Sequence, residues 1–172
     1  MNVDFDFNFN AHNDGQRSVT MAASCIFCKI IKGDIPSMKI FESEKVLAFL
    51  DINPLSSGHA VCPTPYPPTI PWSNTRLELV IPKHHGAKLT DIPDDQLSEL
   101  LPVAARIARA AGADQYNILQ NNGKMAHQVV DHVHFHYIPK PNEQEGLGIS
   151  WPQQNPGKDK LQQLLDDIKS KM

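Results

Sequence analysis

Three histidines near the C-terminal end of the chain, His132, His134 and His136, alternate with the apolar residues Val133 and Phe135. A period of two is typical of a β-strand, on which every second side chain shares one face at a spacing of roughly 6.6 to 6.8 Å. Neutral imidazole is a nucleophile near pH 7, and imidazolium binds anions. The spacing therefore predicts a strand face that holds a phosphate group and attacks it, while Val133 and Phe135 turn into a core.

The residue types and their spacing alone leave other interpretations of this histidine run open. The three rings could be structural, but each polar ring would then need a partner inside the protein. They could also supply nitrogen ligands to Zn²⁺, which the spacing alone does not exclude. A separate Cys25-x-x-Cys28 motif is by itself compatible with a redox-active pair, a metal site or an incidental pair.

The hydrophobic pattern predicts the elements that must position these side chains. Strand signals fall at 39–41 and 46–50 (an expected hairpin), at 58–60 continuing into 79–85, at 116–120 and at the histidine run. Residues 90–112 carry the one strong helical pattern, and a C-terminal amphipathic helix is expected within 153–172. Helices that do not alternate with the strands favour an α+β fold with an antiparallel sheet of about five strands.

Composition excludes several classes of protein. A chain of 172 residues is expected to form one domain, and a net charge of -3 with dispersed charges does not indicate a nucleic-acid partner. No apolar run approaches the roughly 20 residues of a membrane span. Three cysteines do not make a disulfide framework, so a reducing compartment is expected. We expect a cytoplasmic location, with the nucleus as a second one.

Residues 1–20 lack a secretory pattern and are expected to be a disordered tail or a gene-model extension ahead of Met21.

Residues 61–78 interrupt an expected strand. The segment holds five of the chain's fourteen prolines, and proline cannot donate to a sheet. Its removal would join Ala60 to Leu79 in one apolar run. The codons for Val61-Cys62 can carry the 5′ splice sequence of a short fungal intron, and those for Ser73-Asn74 can carry its branch sequence. The codon for Glu78 can end in AG, as a 3′ splice site requires, and removal of eighteen codons keeps the reading frame. We expect a translated, unspliced intron that projects from the core. The alternative is a genuine Pro-rich surface loop.

The run from His132 to Ile138 resembles the signature of the histidine triad (HIT) family, in which three histidines alternate with apolar residues. The segments 25–31 and 49–52 and the pair Trp151-Pro152 resemble its Hint branch, the histidine triad nucleotide-binding proteins. The resemblance implies a HIT domain over 21–152, followed by the C-terminal helix. It also implies a homodimer in which Trp151-Pro152 reaches toward the partner subunit's site.

The same resemblance implies roles for individual residues. His134 would be the nucleophile, His136 would bind phosphate oxygens, and His132 completes the catalytic triad. The implied purine nucleotide pocket consists of Ile26, Phe27, Ile30, Phe49, Asp51, Ile52, Asn121 and Gln128, with Asp51 on the ribose hydroxyls, Asn121 near the α-phosphate and Gln128 near the leaving-group oxygen. Val129 departs from the family, since many Hint proteins carry a serine there that assists the leaving group, and His127 is a candidate substitute.

A structural zinc site is implied as well. Relatives that combine Cys-x-x-Cys with Ile-Pro-x-x-His bind zinc, and the matching residues here are Cys25, Cys28, His85 and His132. This composition is that of a closed tetrahedral site.

The function implied is a hydrolase that cleaves purine nucleoside phosphoramidates and adenylyl compounds through a covalent nucleotidyl-histidine. One alternative is a dinucleoside polyphosphate hydrolase, against which the Trp-Pro end and the Cys-x-x-Cys argue. The other is a nucleotide-binding scaffold or regulatory protein with incidental turnover.

Overall fold

A five-stranded sheet with the order β1-β2-β3-β5-β4 forms the centre of the protein, and all of its strand pairs are antiparallel. The computed structural model describes residues 22–51 and 78–172. The strands are β1 (Lys39–Glu42), β2 (Val46–Leu50), β3 (Glu78–Pro82), β4 (Tyr116–Gln120) and β5 (Phe135–Pro139). The helices are α1 (Ile26–Lys32), α2 (Asp94–Ala111) and α3 (Lys158–Lys171), with short 3-10 turns at Leu89–Asp91 and Lys124–Ala126. The α+β fold and its antiparallel sheet, both predicted from the sequence, are confirmed.

The central strands β2 and β3 are buried on both faces, which explains why they are continuously apolar. Alternate side chains point to opposite sides, as strand geometry requires. Val46, Ala48 and Val80 pack against α2, in a cluster that includes Leu100 and Tyr137. Leu47, Phe49, Leu79 and Ile81 pack on the other side against Cys25, Phe27, Cys28 and Ile30 in and beside α1. The sheet therefore carries a helix on each face, and α1 covers the face next to the candidate site.

Both packed helices end at glycines that adopt the left-handed conformation, φ 87° at Gly33 and φ 72° at Gly112. Glycine takes this conformation without the steric cost that a Cβ imposes, and it terminates a helix cleanly. Helix α2 begins after Pro93, carries Asp94 and Asp95 in its first turn, and continues through Pro102. The expected helix over 90–112 is therefore a 3-10 turn followed by an α-helix.

Two boundaries differ from the sequence expectation. Strand β5 begins only at Phe135, so His132 and His134 precede the strand, and His132 lies in a bend. Glu78, the last residue of the expected insertion, is the first residue of β3 and is buried, paired with Leu50 and Tyr137. This residue is thus part of the sheet and does not project from the core. Residues 61–77, like 1–20 and Ile52, lie outside the described residues. Within the described part, no helix is long and apolar enough to cross a membrane.

Candidate active site

The ring of His134 is held in one tautomer by its own backbone. Nδ1 of His134 lies 2.6 Å from the carbonyl oxygen of His132. A carbonyl can only accept a hydrogen bond, so Nδ1 carries the proton and donates, which leaves the lone pair on Nε2. Burial lowers the pKa of His134, while the His132 carbonyl and Asp51 act in the opposite direction. A neutral imidazole with a free Nε2 lone pair is the form that a nucleophile requires.

His136 stands beside His134, with ring centroids 4.9 Å apart in an edge-to-face arrangement. Burial, and then the neighbouring His134, lowers the pKa of His136 to about 4. Its Nδ1 is buried and has no hydrogen-bond partner among the described residues. The ring itself lines the cavity described below, beside the ring of His134, so His136 is placed to hydrogen-bond an oxygen of a bound phosphate.

His132 faces a different site. It is fully buried and does not line the cavity described below. Its Nε2 lies 2.9 Å from the carbonyl of Pro82 and must donate to it, so the lone pair is on Nδ1. That Nδ1 is 3.5 Å from the sulfur of Cys25, 3.6 Å from the sulfur of Cys28 and 3.3 Å from Nδ1 of His85. The three histidines therefore belong to two sites: His134 and His136 line the cavity, whereas His132 contacts Cys25 and Cys28.

The ligand atoms of Cys25, Cys28, His85 and His132 all lie within 4.8 Å of one another. Zinc bonds of about 2.0–2.3 Å place the ligand atoms of a tetrahedron about 3.3–3.8 Å apart. The separations between His132 and its neighbours, and the 3.3 Å from Cys28 Sγ to His85 Nδ1, fall in that range. Burial and the adjacent Cys25 raise the pKa of the Cys28 thiol to about 11, so a metal would have to displace its proton. The geometry and the donor set fit a tetrahedral metal ion.

A cavity of about 970 Å³ opens beside His134 and His136. Its apolar wall includes Phe27, which makes edge-to-face contacts with Phe49 at 5.8 Å and with the His134 ring at 5.3 Å between centroids. The predicted site residues that line this cavity are Ile26, Phe27, Ile30, Phe49, Asp51, Asn121, His134 and His136. The fold therefore brings together aromatic walls suited to a flat base, a carboxylate suited to ribose hydroxyls, and the two histidines.

Gln128 is the predicted pocket residue among those described that does not line the cavity. Its buried side chain accepts a hydrogen bond from the backbone N–H of Gly123 at 2.5 Å and donates to the carbonyls of Ala87 at 2.6 Å and Val130 at 3.0 Å. These three contacts occupy the amide, so Gln128 fixes the loop before the histidines. Its neighbours His127 and Val129 do line the cavity.

Further lining residues were not identified from the sequence. They are Leu50, Leu79, Leu119, Val130 and the two stretches Ile35 to Met38 and Leu147 to Ser150. The alternation in the apolar stretch 79–82 places Leu79 and Ile81 on the α1 face, which would have been a usable signal for Leu79. The stretch from Leu147 to Ser150 is loop in the sequence, and only the fold brings it to the cavity.

This fold and site define a class. The sequence matches the HIT domain family over residues 75–143, and the chain belongs to this histidine triad family. It is 50% identical over 153 residues to adenosine 5'-monophosphoramidase HNT1 of Saccharomyces cerevisiae, covering 89% of this chain and 85% of that protein. The protein of that name from Schizosaccharomyces pombe is 47% identical over 149 residues, covering 87% of this chain and 98% of that one. The crystal structure of histidine triad nucleotide-binding protein from Candida albicans matches with a TM-score of 0.71 at 46% identity, covering 86% of this chain and 96% of that chain.

Proposed function

We propose that this protein is a hydrolase that cleaves purine nucleoside phosphoramidates and related adenylyl compounds through a covalent nucleotidyl-histidine intermediate. The observation that carries the proposal is the tautomer of His134, whose Nδ1–H is held by the His132 carbonyl at 2.6 Å while its ring lines the cavity. The fungal relatives named adenosine 5'-monophosphoramidase support the phosphoramidate as substrate.

In the first step, the Nε2 lone pair of His134 attacks the α-phosphorus, and the bond from phosphorus to the leaving amine breaks. Positive charge develops on the imidazole, and the Nδ1–H bond to the His132 carbonyl becomes a charge-assisted hydrogen bond. In the second step, water attacks the same phosphorus and the bond to Nε2 breaks. One difficult displacement is thereby divided into two easier ones.

The remaining cavity residues would hold the nucleotide. Phe27 and Phe49 would pack against the base, with Ile26 and Ile30 beside them. Asp51 would accept hydrogen bonds from the ribose hydroxyls, and Asn121 and His136 would bind oxygens of the α-phosphate. His136 is suited to this role because its ring lines the cavity beside that of His134.

Zinc on Cys25, Cys28, His85 and His132 is part of the same proposal. The ion would supply structural cross-linking between the start of α1, the chain that follows β3 and the chain that enters β5, and no step of the reaction passes through it. His132 would then be a positioning residue: its ring would bind the metal while its carbonyl holds His134.

A homodimer is also proposed. In the single chain Trp151 is 81% exposed, and the apolar stripe of α3 (Leu161, Leu164, Leu165 and Ile168) is about half exposed. A second copy of the chain would cover such surface, which monomeric proteins rarely present in contiguous form. Light scattering would test the state, and a monomer at micromolar concentration would contradict it.

The test of the function is turnover of an adenosine 5'-phosphoramidate beside that of a diadenosine polyphosphate. We expect the phosphoramidate to be preferred. His134→Ala should lower kcat by several orders of magnitude while nucleotide still binds, since the pocket walls are built by other residues. Mass analysis of the trapped enzyme should find a nucleotidyl group on His134. An adduct on another histidine, or near-normal turnover by the variant, would contradict the mechanism, and binding without turnover would favour the scaffold alternative.

A further inference from the structure

His127 has an unusual backbone conformation at the edge of the cavity. With φ 64° and ψ 21°, it is the one non-glycine residue with positive φ in the stretches 22–51 and 78–172. Glycine adopts this conformation at no steric cost, whereas a residue with a Cβ is strained there. His127 is the residue that ends the 3-10 turn Lys124–Ala126, a position at which the backbone favours glycine, so the histidine is held there at a steric cost. Strain of this kind collects at functional sites.

Hydrogen bonds hold the loop around His127, so the backbone at this residue keeps its left-handed conformation. The backbone N–H of His127 donates to the carbonyl of Lys124 at 3.0 Å, and the N–H of Gln128 donates to the carbonyl of Gly123 at 3.1 Å. The buried side chain of Gln128 adds bonds to Gly123, Ala87 and Val130. His127 thus projects from a rigid base, which is how a positioned functional group is normally held.

The chemistry of the cavity leaves a role for one more imidazole. Cleavage of a phosphorus–nitrogen bond requires a proton for the departing amine. Among the residues that the structure describes, the titratable side chains that line the cavity are Asp51, His127, His134 and His136. His134 attacks and His136 faces the phosphate, while Val129, next to His127, has no proton to give. Imidazole is the side chain that exchanges protons near neutral pH. His127 both lines the cavity and is solvent-exposed, which places it at the rim, where a leaving group departs.

We propose that His127 is the general acid that protonates the leaving amine, so that it sets the range of leaving groups that the enzyme accepts. This inference rests on the proposed phosphoramidate hydrolysis. As Nε2 of His134 bonds to phosphorus, the phosphorus–nitrogen bond breaks, its electron pair goes to the amine nitrogen, and the imidazolium of His127 supplies the proton. In the second step the attacking water gives its proton to neutral His127, and the bond from phosphorus to His134 breaks. The products are the nucleotide and the free amine, and both histidines return to their starting forms.

The experiment compares two substrates that differ in their need for a proton. One is an adenosine 5'-phosphoramidate with an alkylamine leaving group, and the other is the p-nitrophenyl ester of AMP, whose leaving group departs as an anion. The variants are His127→Asn and His127→Gly, since Asn tolerates the left-handed conformation and Gly removes the strain. Met125→Ala is the matched control, because Met125 lies in the same turn, is 99% exposed and does not line the cavity.

We expect both His127 variants to lose about 10²–10⁴-fold in kcat/KM on the alkylamine substrate and less than about tenfold on the p-nitrophenyl ester. His127→Gly should melt at the temperature of the wild type or above it, so the loss cannot come from a weakened fold. Met125→Ala should behave as the wild type on both substrates. Equal losses on the two substrates, or no loss on the alkylamine, would overturn the assignment of His127. If the wild type turns over neither substrate, the proposed function itself fails.

Discussion

Replacing Cys28 by serine tests the proposed zinc site most directly. The sulfur of Cys28 lies 3.3 Å from Nδ1 of His85 and 3.6 Å from Nδ1 of His132, so the change removes one of four converging ligand atoms. The side chain is buried, and no solvent group can readily take its place. A serine hydroxyl is a harder and weaker ligand for zinc than a thiolate.

The size of the effect follows from the contribution of a structural metal to folding. Release of the ion removes its whole binding free energy, which is about 10–16 kcal/mol in small zinc domains. In a domain of this size each kcal/mol shifts the melting temperature by about 2–4 °C. We therefore expect Cys28→Ser to release the metal and to lower the melting temperature by about 20 °C or more.

The assay is metal analysis of protein purified without added zinc, followed by thermal unfolding with and without a chelator. Wild-type protein should carry one zinc per chain, and the chelator should lower its melting temperature toward that of the variant. Cys62→Ser is the control, because it removes the cysteine that is not among the four proposed ligands. A metal-free wild type that unfolds at the same temperature with or without zinc would refute the site, and so would full zinc content in Cys28→Ser.

Three further expectations follow from the packing and the pocket. Leu100→Ala should lower the free energy of unfolding in urea by about 2–5 kcal/mol, because Leu100 is fully buried. Leu101→Ala is the control: Leu101 is exposed, so the free energy of unfolding should change by no more than about 0.5 kcal/mol. Equal effects of the two changes would contradict the packing. Asp51→Asn should raise KM about tenfold with a smaller change in kcat, because a ribose contact is made equally in ground and transition states; a loss confined to kcat would count against the ribose role. The mature transcript should lack codons 61–78, which sequencing of the message would show; a message that always retains these codons would end the intron hypothesis.

Local patterns in the sequence determined the elements and their faces. The apolar runs of β2 and β3 and the apolar stripe of α2 depend on neighbouring residues alone, and strand or helix geometry dictates which of their side chains share a face. The predicted hairpin, the long helix and the strand at Tyr116–Gln120 all appear in the fold. The three histidines and the two cysteines were also apparent, because their residue types are rarely placed in such patterns without a chemical role.

Only the tertiary structure decided which of the three histidines face the cavity and which one faces the cysteines. The start of β5 at Phe135 is set by its neighbours, since both Val80 and Gln120 pair with that residue. Before that point the chain bonds elsewhere: the N–H of Val133 donates to the carbonyl of Gly86. His132 is thereby turned to cysteines more than a hundred residues away, with Cys25 separated from it by 107 positions.

Contacts between residues distant in the sequence also fix the conformation of the loop before the histidines. Gln128 is held by the carbonyl of Ala87, 41 residues earlier, and so fixes the loop from beneath the cavity surface. The tautomer of His134 depends on a carbonyl only two residues away, but the backbone must turn to present it, and in that turn the N–H of Val133 donates to the carbonyl of Gly86. Spacing in a sequence determines which side chains share a face, whereas the partner of each nitrogen depends on distant backbone groups that the fold brings within hydrogen-bonding distance.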